Sequence, residues 1–243
     1  MPWRKVLYRK WVSARHRLLG LPRTGHVSFG DLRRVEPFGR HFGTDRGQAI
    51  DHHYIEAFLQ VHATDVHGRV LEVGDDGYTR QFGGQRVTHS DVLHVDASNP
   101  RATIVADLTV APQIPDDSFD CIILTQVLHL IYEPCSAVRT LHRVLKPGGV
   151  LLLTSPGITQ VPHGTTWAHT WYWAFTELAV LRMLEEVFGR GRVAVESAGN
   201  VFSATAMLYG LASQDLGTSN LEVHDPDYPV IIAARAHKRP AGG

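Results

Sequence analysis

The run VLEVG at residues 70–74 predicts a buried β-strand that ends in an acid and a glycine. Apolar runs without polar alternation, such as CIIL at 121–124 and VLLL at 150–153, are typical of parallel strands covered on both faces. In an open α/β sheet, ligands bind at the carboxyl ends of such strands, and a glycine there lets a ligand approach the backbone. Gly74 therefore marks the first candidate position of a binding site.

Seven candidate strands alternate with helical or loop segments along most of the chain. Between them, an apolar stripe over 138–145 stops at the breaker PGG (147–149), and Thr176 is a suitable N-cap for a helix that ends at Gly189. Asp51 is a suitable N-cap for an earlier helix. This alternation predicts a doubly wound α/β sheet. The candidate strands are residues 69–73, 86–91, 103–106, 119–125, 150–154, 193–197 and 230–234.

Charge is distributed unevenly along the chain. The 24 basic and 24 acidic side chains give a formal net charge of zero, but the first 46 residues carry a net +8 and the other 197 a net −8. We therefore expect a basic N-terminal helix and lid segment over residues 1–50, followed by the main domain over 51–243.

The N-terminal segment also has an apolar periodicity. Its residues Trp3, Leu7, Trp11, Ala14 and Leu18 are spaced by three or four positions, which predicts an amphipathic helix. A basic helix of this kind fits a lid or dimer contact, a contact with an anionic substrate, or a contact with an anionic membrane surface.

Composition excludes several classes of protein. A hydrophobic fraction of 44% and a charged fraction of 20% are those of a globular chain, and no run approaches the roughly 18 apolar residues of a membrane span. Two cysteines are too few for a disulfide scaffold, and no cluster has metal-binding spacing. We expect a cytoplasmic protein with no metal and no nucleic-acid partner.

Acidic residues follow the next predicted strands. Asp91 closes the second strand 17 residues after Gly74, where a carboxylate can accept hydrogen bonds from both ribose hydroxyls of a nucleotide-like ligand. Asp96 is the alternative, because it lies at the more usual spacing of about 20 residues, although Asp91 is favoured. Asp107 ends the third strand, where its side-chain oxygen can meet an adenine amino group.

The order of these motifs resembles class I S-adenosylmethionine-dependent methyltransferases. The resemblance is carried by LEVG (71–74), ADL (106–108), DDSFDCIILTQVLH (116–129) and LHRVLKPGGVLLLTSPG (141–157). It covers residues 68–157 well and 158–235 more loosely, and it looks like a small-molecule branch found beside bacterial glycan and natural-product genes. It implies a Rossmann-like, seven-stranded sheet, mostly parallel with an antiparallel last strand, and S-adenosylmethionine as the cofactor, released as S-adenosylhomocysteine.

The resemblance also implies which residues contact the cofactor. Residues of the loop after the first strand would line the methionine end of the cofactor. Residues after the second and third strands would contact its ribose and adenine, and residues after the fourth strand would lie under it. Tyr54 and the preceding FGTDRG (42–47) would close over it from the N-terminal side. The implied set is Tyr54, Glu72, Val73, Gly74, Asp75, Asp76, Asp91 or Asp96 with Val92, Asp107, Leu108, Thr125 and Gln126.

One departure from the family pattern falls in the loop after the first strand. The usual loop is E-x-G-x-G-x-G, and here Asp76 and Tyr78 replace its second and third glycines. A carboxylate at 76 would favour the positive sulfonium, but the change is also consistent with a shifted loop or a different cofactor pose.

Methyl transfer is an in-line displacement that a general base assists when the acceptor is a hydroxyl. In the resemblance, His129 lies at the active-site edge after the fourth strand, and His163 and His169 lie over the substrate pocket. These three histidines are the candidate catalytic bases. An aromatic group in the same loop forms a pocket wall or packs the last helix onto the sheet; it comprises Trp167, Trp171, Tyr172, Trp173 and Phe175.

These features predict an S-adenosylmethionine-dependent methyltransferase for a small hydroxylated acceptor, with O-methylation of a sugar or natural product as the leading reaction. The altered glycine loop keeps open a non-methylating, cyclase-type enzyme on the same fold. A scaffold without cofactor binding is disfavoured, because Glu72, Gly74, Asp91 and Asp107 are all present. The expected partner is the small-molecule acceptor, and a homodimer is a further expectation.

Overall fold

The computed structural model describes residues 4, 8, 11, 12, 14, 15, 18–164 and 169–242. The chain divides into two compact units, Met1–Pro37 and Phe38–Gly243. The predicted division after residue 50 stays a prediction, and residues 38–49 pack within the second unit. The predicted N-terminal helix over 1–19 lies largely outside the described residues; those described there, such as Tyr8 and Trp11, are helical.

The second unit is built on a seven-stranded sheet in the order β3-β2-β1-β4-β5-β7-β6. Neighbouring strands from β3 through β5 are parallel, whereas β7 is antiparallel to both β5 and β6. The Rossmann-like, mostly parallel sheet with an antiparallel last strand is therefore confirmed. The strands are β1 (Gly68–Val73), β2 (Val87–His94), β3 (Ile104–Val105), β4 (Phe119–Thr125), β5 (Leu145–Pro156), β6 (Val193–Ala198) and β7 (Ile231–His237).

Six α-helices accompany the sheet in the described residues of this unit: α1 (Ile50–Val61), α2 (Pro134–Val144), α3 (Glu177–Phe188), α4 (Val201–Leu208), α5 (Ser213–Leu216) and α6 (Thr218–Leu221). Thr176 caps α3 as predicted, since its side chain accepts a hydrogen bond from the amide of Ala179. The predicted cap at Asp51 is wrong, because Ala49 occupies the N-cap of α1 and Asp51 lies in its first turn.

Helices cover both faces of the sheet, which explains the apolar runs without alternation. In β5, Leu151 and Leu153 face the core that includes α2 and α3, whereas Leu152 faces the core that includes α1 and α4. All three side chains are fully buried. Each such leucine contributes about 1.5–3 kcal/mol from burial, so covering only one face of the sheet would leave one or two of these three side chains exposed.

The long connection between β6 and β7 fastens the segment that precedes α1. The guanidinium of Arg46 donates to both carboxylate oxygens of Asp215 at 3.2 and 3.0 Å, and the amide of Ser213 donates to the carbonyl of Gln48 at 2.8 Å. Close by, Ala49 and Ala212 form an antiparallel bridge. Residues 38–49 are thereby held in place just ahead of α1.

In the described part of the chain, no helix is both long and apolar enough to cross a membrane.

Gly210→Ala tests how residues 38–49 are held against the connection between β6 and β7. Gly210 has φ 67°, and a Cβ there would collide with the backbone carbonyl of Gly39. We expect a loss of about 3 kcal/mol or more in the free energy of unfolding, measured by urea denaturation.

Gly217→Ala is the matched control, because Gly217 has a similar φ of 77° and no described atom within 4 Å of the added Cβ. The free energy of unfolding of this variant should fall by only about 1–2 kcal/mol, because the substitution adds backbone strain without a collision. Equal losses in the two variants would contradict the close approach of Gly39 to Gly210.

Candidate active site

The carboxyl end of β1 opens into free space at Gly74. Its φ of 97° is in the left-handed region that favours glycine, and no described atom lies within 4 Å of where a Cβ would stand. The Gly74 amide donates to the carbonyl of Leu93 in β2, and its carbonyl accepts from the side-chain amide of Asn99 at 2.6 Å. The backbone at Gly74 is therefore fixed from one side and approachable from the other.

Glu72 holds the loop that follows Gly74. Its carboxylate is 2% exposed and accepts hydrogen bonds from the amides of Tyr78 at 3.2 Å and Thr79 at 2.7 Å. Burial is the main cause that raises the pKa of Glu72 to about 7, while these amides oppose the shift. The side chain thus acts on the loop from inside the fold.

The two residues that replace family glycines are both engaged within the protein. Asp76 forms an ion pair with Arg80, which offsets part of its negative charge. The ring of Tyr78 packs against the core that contains α1 and lies 6.0 Å from the ring of Phe82. Burial, together with nearby carboxylates, raises the pKa of the Tyr78 hydroxyl.

The two candidate ribose acids occupy different environments. Asp91 lies within β2 beside Leu71, is 4% exposed, and accepts from Arg69 Nε at 2.7 Å and Thr103 Oγ1 at 3.0 Å. Asp96 follows the end of β2 and has a side chain 62% exposed, with one oxygen accepting from the amide of Ser98. These hydrogen bonds from Ser98 lower the pKa of Asp96. Val92, next to Asp91, is buried in the strand.

Asp107 and Leu108 follow β3 at the same edge of the sheet. One carboxylate oxygen of Asp107 accepts from both the amide and the hydroxyl of Thr109 at 2.8 Å, which orients the side chain. Leu108 is buried in the core.

The ends of β4 and β5 carry buried polar atoms that lack hydrogen-bond partners within the described structure. They are Gln126 Nε2, Thr154 Oγ1 and Ser155 Oγ. Gln126 also has a φ of 54°, and its amide donates to the carbonyl of Thr154. Because buried polar groups are normally paired, this donor and these hydroxyls fit a polar ligand at the strand ends. Thr125 ends β4 and is half-buried.

His129 is buried in a single 3-10 turn, Leu128–Leu130, that follows β4. The residue is 2% exposed, and its ring centroid lies 4.2 Å from that of Trp171. Burial lowers the pKa of His129 to about 4, so the imidazole is neutral at pH 7. Its Nδ1 has no hydrogen-bond partner within the described residues.

The loop after β5 carries the other predicted residues. His163 and His169 are exposed, and Trp167 lies outside the described residues. Trp171 connects His129 to residues 38–49, because its ring stacks on the ring of Phe42 at a centroid distance of 6.1 Å and an angle of 10°. Tyr54 is buried in α1, in the core against which Phe42 also packs.

Sequence reasoning missed Phe42 as a contact of Trp171, and it missed Tyr132, whose exposed ring lies 5.3 Å from that of Tyr172. Phe42 was only part of a segment expected to close over the cofactor. No sequence periodicity links residues that far apart, so only tertiary packing could reveal these pairs.

Comparison with known proteins adds to this geometry. Residues 46–153 match the family model of a methyltransferase domain. A probable S-adenosylmethionine-dependent methyltransferase of Mycolicibacterium smegmatis is 32% identical over 96 residues, which cover 36% of this chain and 37% of that protein. The match therefore spans little more than a third of the curated relative's length.

Two solved structures share the fold. The crystal structure of the cyclase SpnF has a TM-score of 0.53 and 17% identity, covering 86% of this chain and 89% of SpnF. An S-adenosylmethionine-dependent methyltransferase from Archaeoglobus fulgidus has a TM-score of 0.51 and 12% identity, covering 76% of this chain and 94% of its own. At such identities the likeness is one of fold alone.

Residues 46–153, which include the ends of β1, β2, β3 and β4 described above, are thus similar to a methyltransferase domain.

Glu72→Gln tests the buried carboxyl. The pKa of Glu72 in the folded chain, about 7, exceeds the ordinary value of 4.5, so between these pH values the folded chain binds more protons than the unfolded one. Its contribution to stability therefore falls as pH rises through this window. Glutamine keeps an oxygen acceptor but does not titrate, so the variant should gain roughly 3 kcal/mol relative to the native chain between pH 4.5 and 7.

Urea unfolding of both proteins at pH 4.5 and pH 7.5 measures this difference. Glu222→Gln, which alters an exposed carboxyl, is the control. A stability difference for Glu72→Gln that does not change with pH would show that this carboxyl is not held in a desolvated site.

Proposed function

We propose that this protein transfers a methyl group from S-adenosylmethionine to a hydroxyl of a small acceptor, with a sugar or a natural product as the leading class. One observation carries the proposal: Gly74, Asp96, Asp107 and Gln126 converge at the carboxyl edge of the sheet. All four lie within the segment that matches the methyltransferase domain. An open edge of this kind is where α/β folds bind nucleotide-like ligands.

The cofactor would be held by the residues that remain available at this edge. Asp96 is the better candidate for the ribose hydroxyls, because the carboxylate of Asp91 is already committed to Arg69 and Thr103. Asp107 would meet the adenine beside Leu108, and Gly74 with Val73 and Asp75 would lie along the methionine end. Thr125 and Gln126 would lie beneath, with Tyr54 on the α1 side. When bound, the sulfonium supplies an electrophilic methyl carbon.

His129 is the best-placed base for the acceptor hydroxyl. In-line displacement requires the oxygen to lose its proton as the new oxygen–carbon bond forms. The lowered pKa of His129 keeps its imidazole neutral, and Nδ1 has no partner within the described residues. An acceptor that reaches this buried nitrogen would be oriented by it and would give up its proton to it, and a pKa of about 4 makes His129 a weak base that depends on close positioning.

Asp96→Asn tests the cofactor site. Loss of a charged hydrogen-bond acceptor for the ribose should weaken binding of S-adenosylhomocysteine by roughly 10- to 100-fold in calorimetry. The free energy of unfolding should change by less than about 0.5 kcal/mol, because the Asp96 side chain is largely exposed.

Asp91→Asn is the matched variant. It removes the charge that pairs with Arg69 and should lower the free energy of unfolding by roughly 1–3 kcal/mol while the folded protein keeps its cofactor affinity. If Asp91→Asn instead abolished binding of S-adenosylhomocysteine and Asp96→Asn did not, the carboxylate that binds the ribose hydroxyls would be that of Asp91.

His129→Ala tests the base. We expect turnover, measured as S-adenosylhomocysteine release by mass spectrometry, to fall by about 100-fold with cofactor affinity unchanged. His163→Ala and His169→Ala serve as comparison variants in the loop after β5. Full turnover in a folded His129→Ala protein would remove it as the base, and a loss at His163 or His169 would move that role to the loop.

A cyclase-type reaction is the second candidate, favoured by Asp76 and Tyr78 in place of the loop glycines. Cofactor binding without release of S-adenosylhomocysteine across a broad panel of hydroxylated acceptors would favour it over methyl transfer.

Other expectations from the sequence stay predictions. They are the homodimer, the cytoplasmic location and the contact of the basic N-terminal segment with a substrate or an anionic membrane surface.

A further inference from the structure

We infer that the acceptor is bound on a strip of three exposed aromatic rings beside His129, and that this strip fits the face of a neutral hexose. The strip consists of Tyr132, Tyr172 and Trp173. The inference rests on the proposed function, because it names the acceptor class and the subsite for the same reaction.

The three rings form one continuous exposed surface. The ring of Tyr132 lies 5.3 Å from that of Tyr172 in an edge-on arrangement, and 6.3 Å from that of Trp173 at an angle of 29°. Their exposed fractions are 69%, 47% and 39%. Isolated exposed apolar residues are ordinary, but a contiguous group of large rings is typical of a binding surface.

Trp173 is anchored by its neighbours, and the backbone of the strip is hydrogen-bonded to the candidate base. Trp173 Nε1 donates to the carbonyl of Ile131 at 2.9 Å, and its ring stacks on the buried Phe175. The amides of Tyr172 and Trp173 both approach the carbonyl of His129, at 3.1 and 3.3 Å. Because Trp173 is anchored in this way, binding a ligand to its ring requires little further ordering of that side chain.

Buried polar atoms lie in the chain just before Tyr132 and at the end of β5. His129 Nδ1 and Gln126 Nε2 have no hydrogen-bond partners within the described residues, and Ser155 Oγ is in the same condition. An acceptor that contacts the rings and also reaches these polar atoms needs an apolar face and several hydroxyls. A pyranose has both, because its axial C–H groups form an apolar face and its hydroxyls project around the ring.

The nearly parallel rings of Phe42 and Trp171 leave no slot for a planar aromatic acceptor. A flat ring is best held between two parallel rings, but Phe42 and Trp171, the nearly parallel pair beside His129, already stack on one another. That contact leaves no slot between them. The net −8 carried by residues 47–243 further disfavours an acidic sugar.

The test measures binding of neutral oligosaccharides to the full chain without cofactor. Maltohexaose, cellohexaose and mannohexaose are the probes. Their binding is detected by saturation-transfer NMR and quantified by titration. We expect at least one to bind, and Tyr132→Ala and Tyr172→Ala each to raise its Kd about fivefold or more. Tyr132→Phe and Tyr172→Phe, which keep the ring, should retain most of the affinity.

Tyr228→Ala is the matched control, because Tyr228 is an exposed tyrosine, at 39%, in the connection before β7. It should leave the Kd unchanged. If Tyr132→Ala fails to fold, Tyr132→Leu keeps apolar volume without an aromatic face and should show the same loss of affinity.

Three outcomes would overturn the inference: no oligosaccharide binds, binding is unchanged in the strip variants, or 2-naphthol competes for the strip while the sugars do not bind. Calorimetry with S-adenosylhomocysteine on the same proteins is a separate measurement of the proposed function. Cofactor binding without sugar binding refutes only the acceptor class, whereas absence of cofactor binding refutes the proposed methyl transfer.

Discussion

The buried carboxylate of Glu72 is the interaction on which the candidate site depends. Desolvation of this group is unfavourable, as its raised pKa indicates, and the amides of Tyr78 and Thr79 offset that penalty only in part. In return, the loop after β1 is fixed from within the fold. The backbone of Gly74 therefore lies open at the carboxyl edge of the sheet, and the solvent-facing side chains of the loop are not needed to hold it there.

This internal anchor explains how the loop accommodates Asp76 and Tyr78 at positions where the methyltransferases that the chain resembles have glycines. The ring of Tyr78 packs toward the core that contains α1, so its bulk is accommodated beneath the loop. Asp76 is paired with Arg80 rather than left as an isolated charge. The departure in sequence therefore does not close the space above Gly74, where no described atom approaches within 4 Å of the point that a Cβ would occupy.

The remainder of the site is assembled from segments that are distant in the chain. Arg46 and Gln48 bind the connection between β6 and β7, which fixes the segment that carries Phe42. Phe42 then meets Trp171 from the loop after β5, and Trp171 meets His129 from the turn after β4. A substitution in the connection after β6 can for this reason affect the acceptor side of the site without contacting it.

Local sequence determined the architecture of the sheet, because strand burial on two faces demands apolar runs and because glycine and Thr176 mark turns and caps through local backbone chemistry. Tertiary structure decided the environment of each acid and ring. Asp91 looked like the end of a strand, yet β2 continues to His94, and Asp91 pairs with Arg69 of the neighbouring strand. Such cross-strand and inter-loop contacts depend on three-dimensional proximity, which spacing along one chain does not encode.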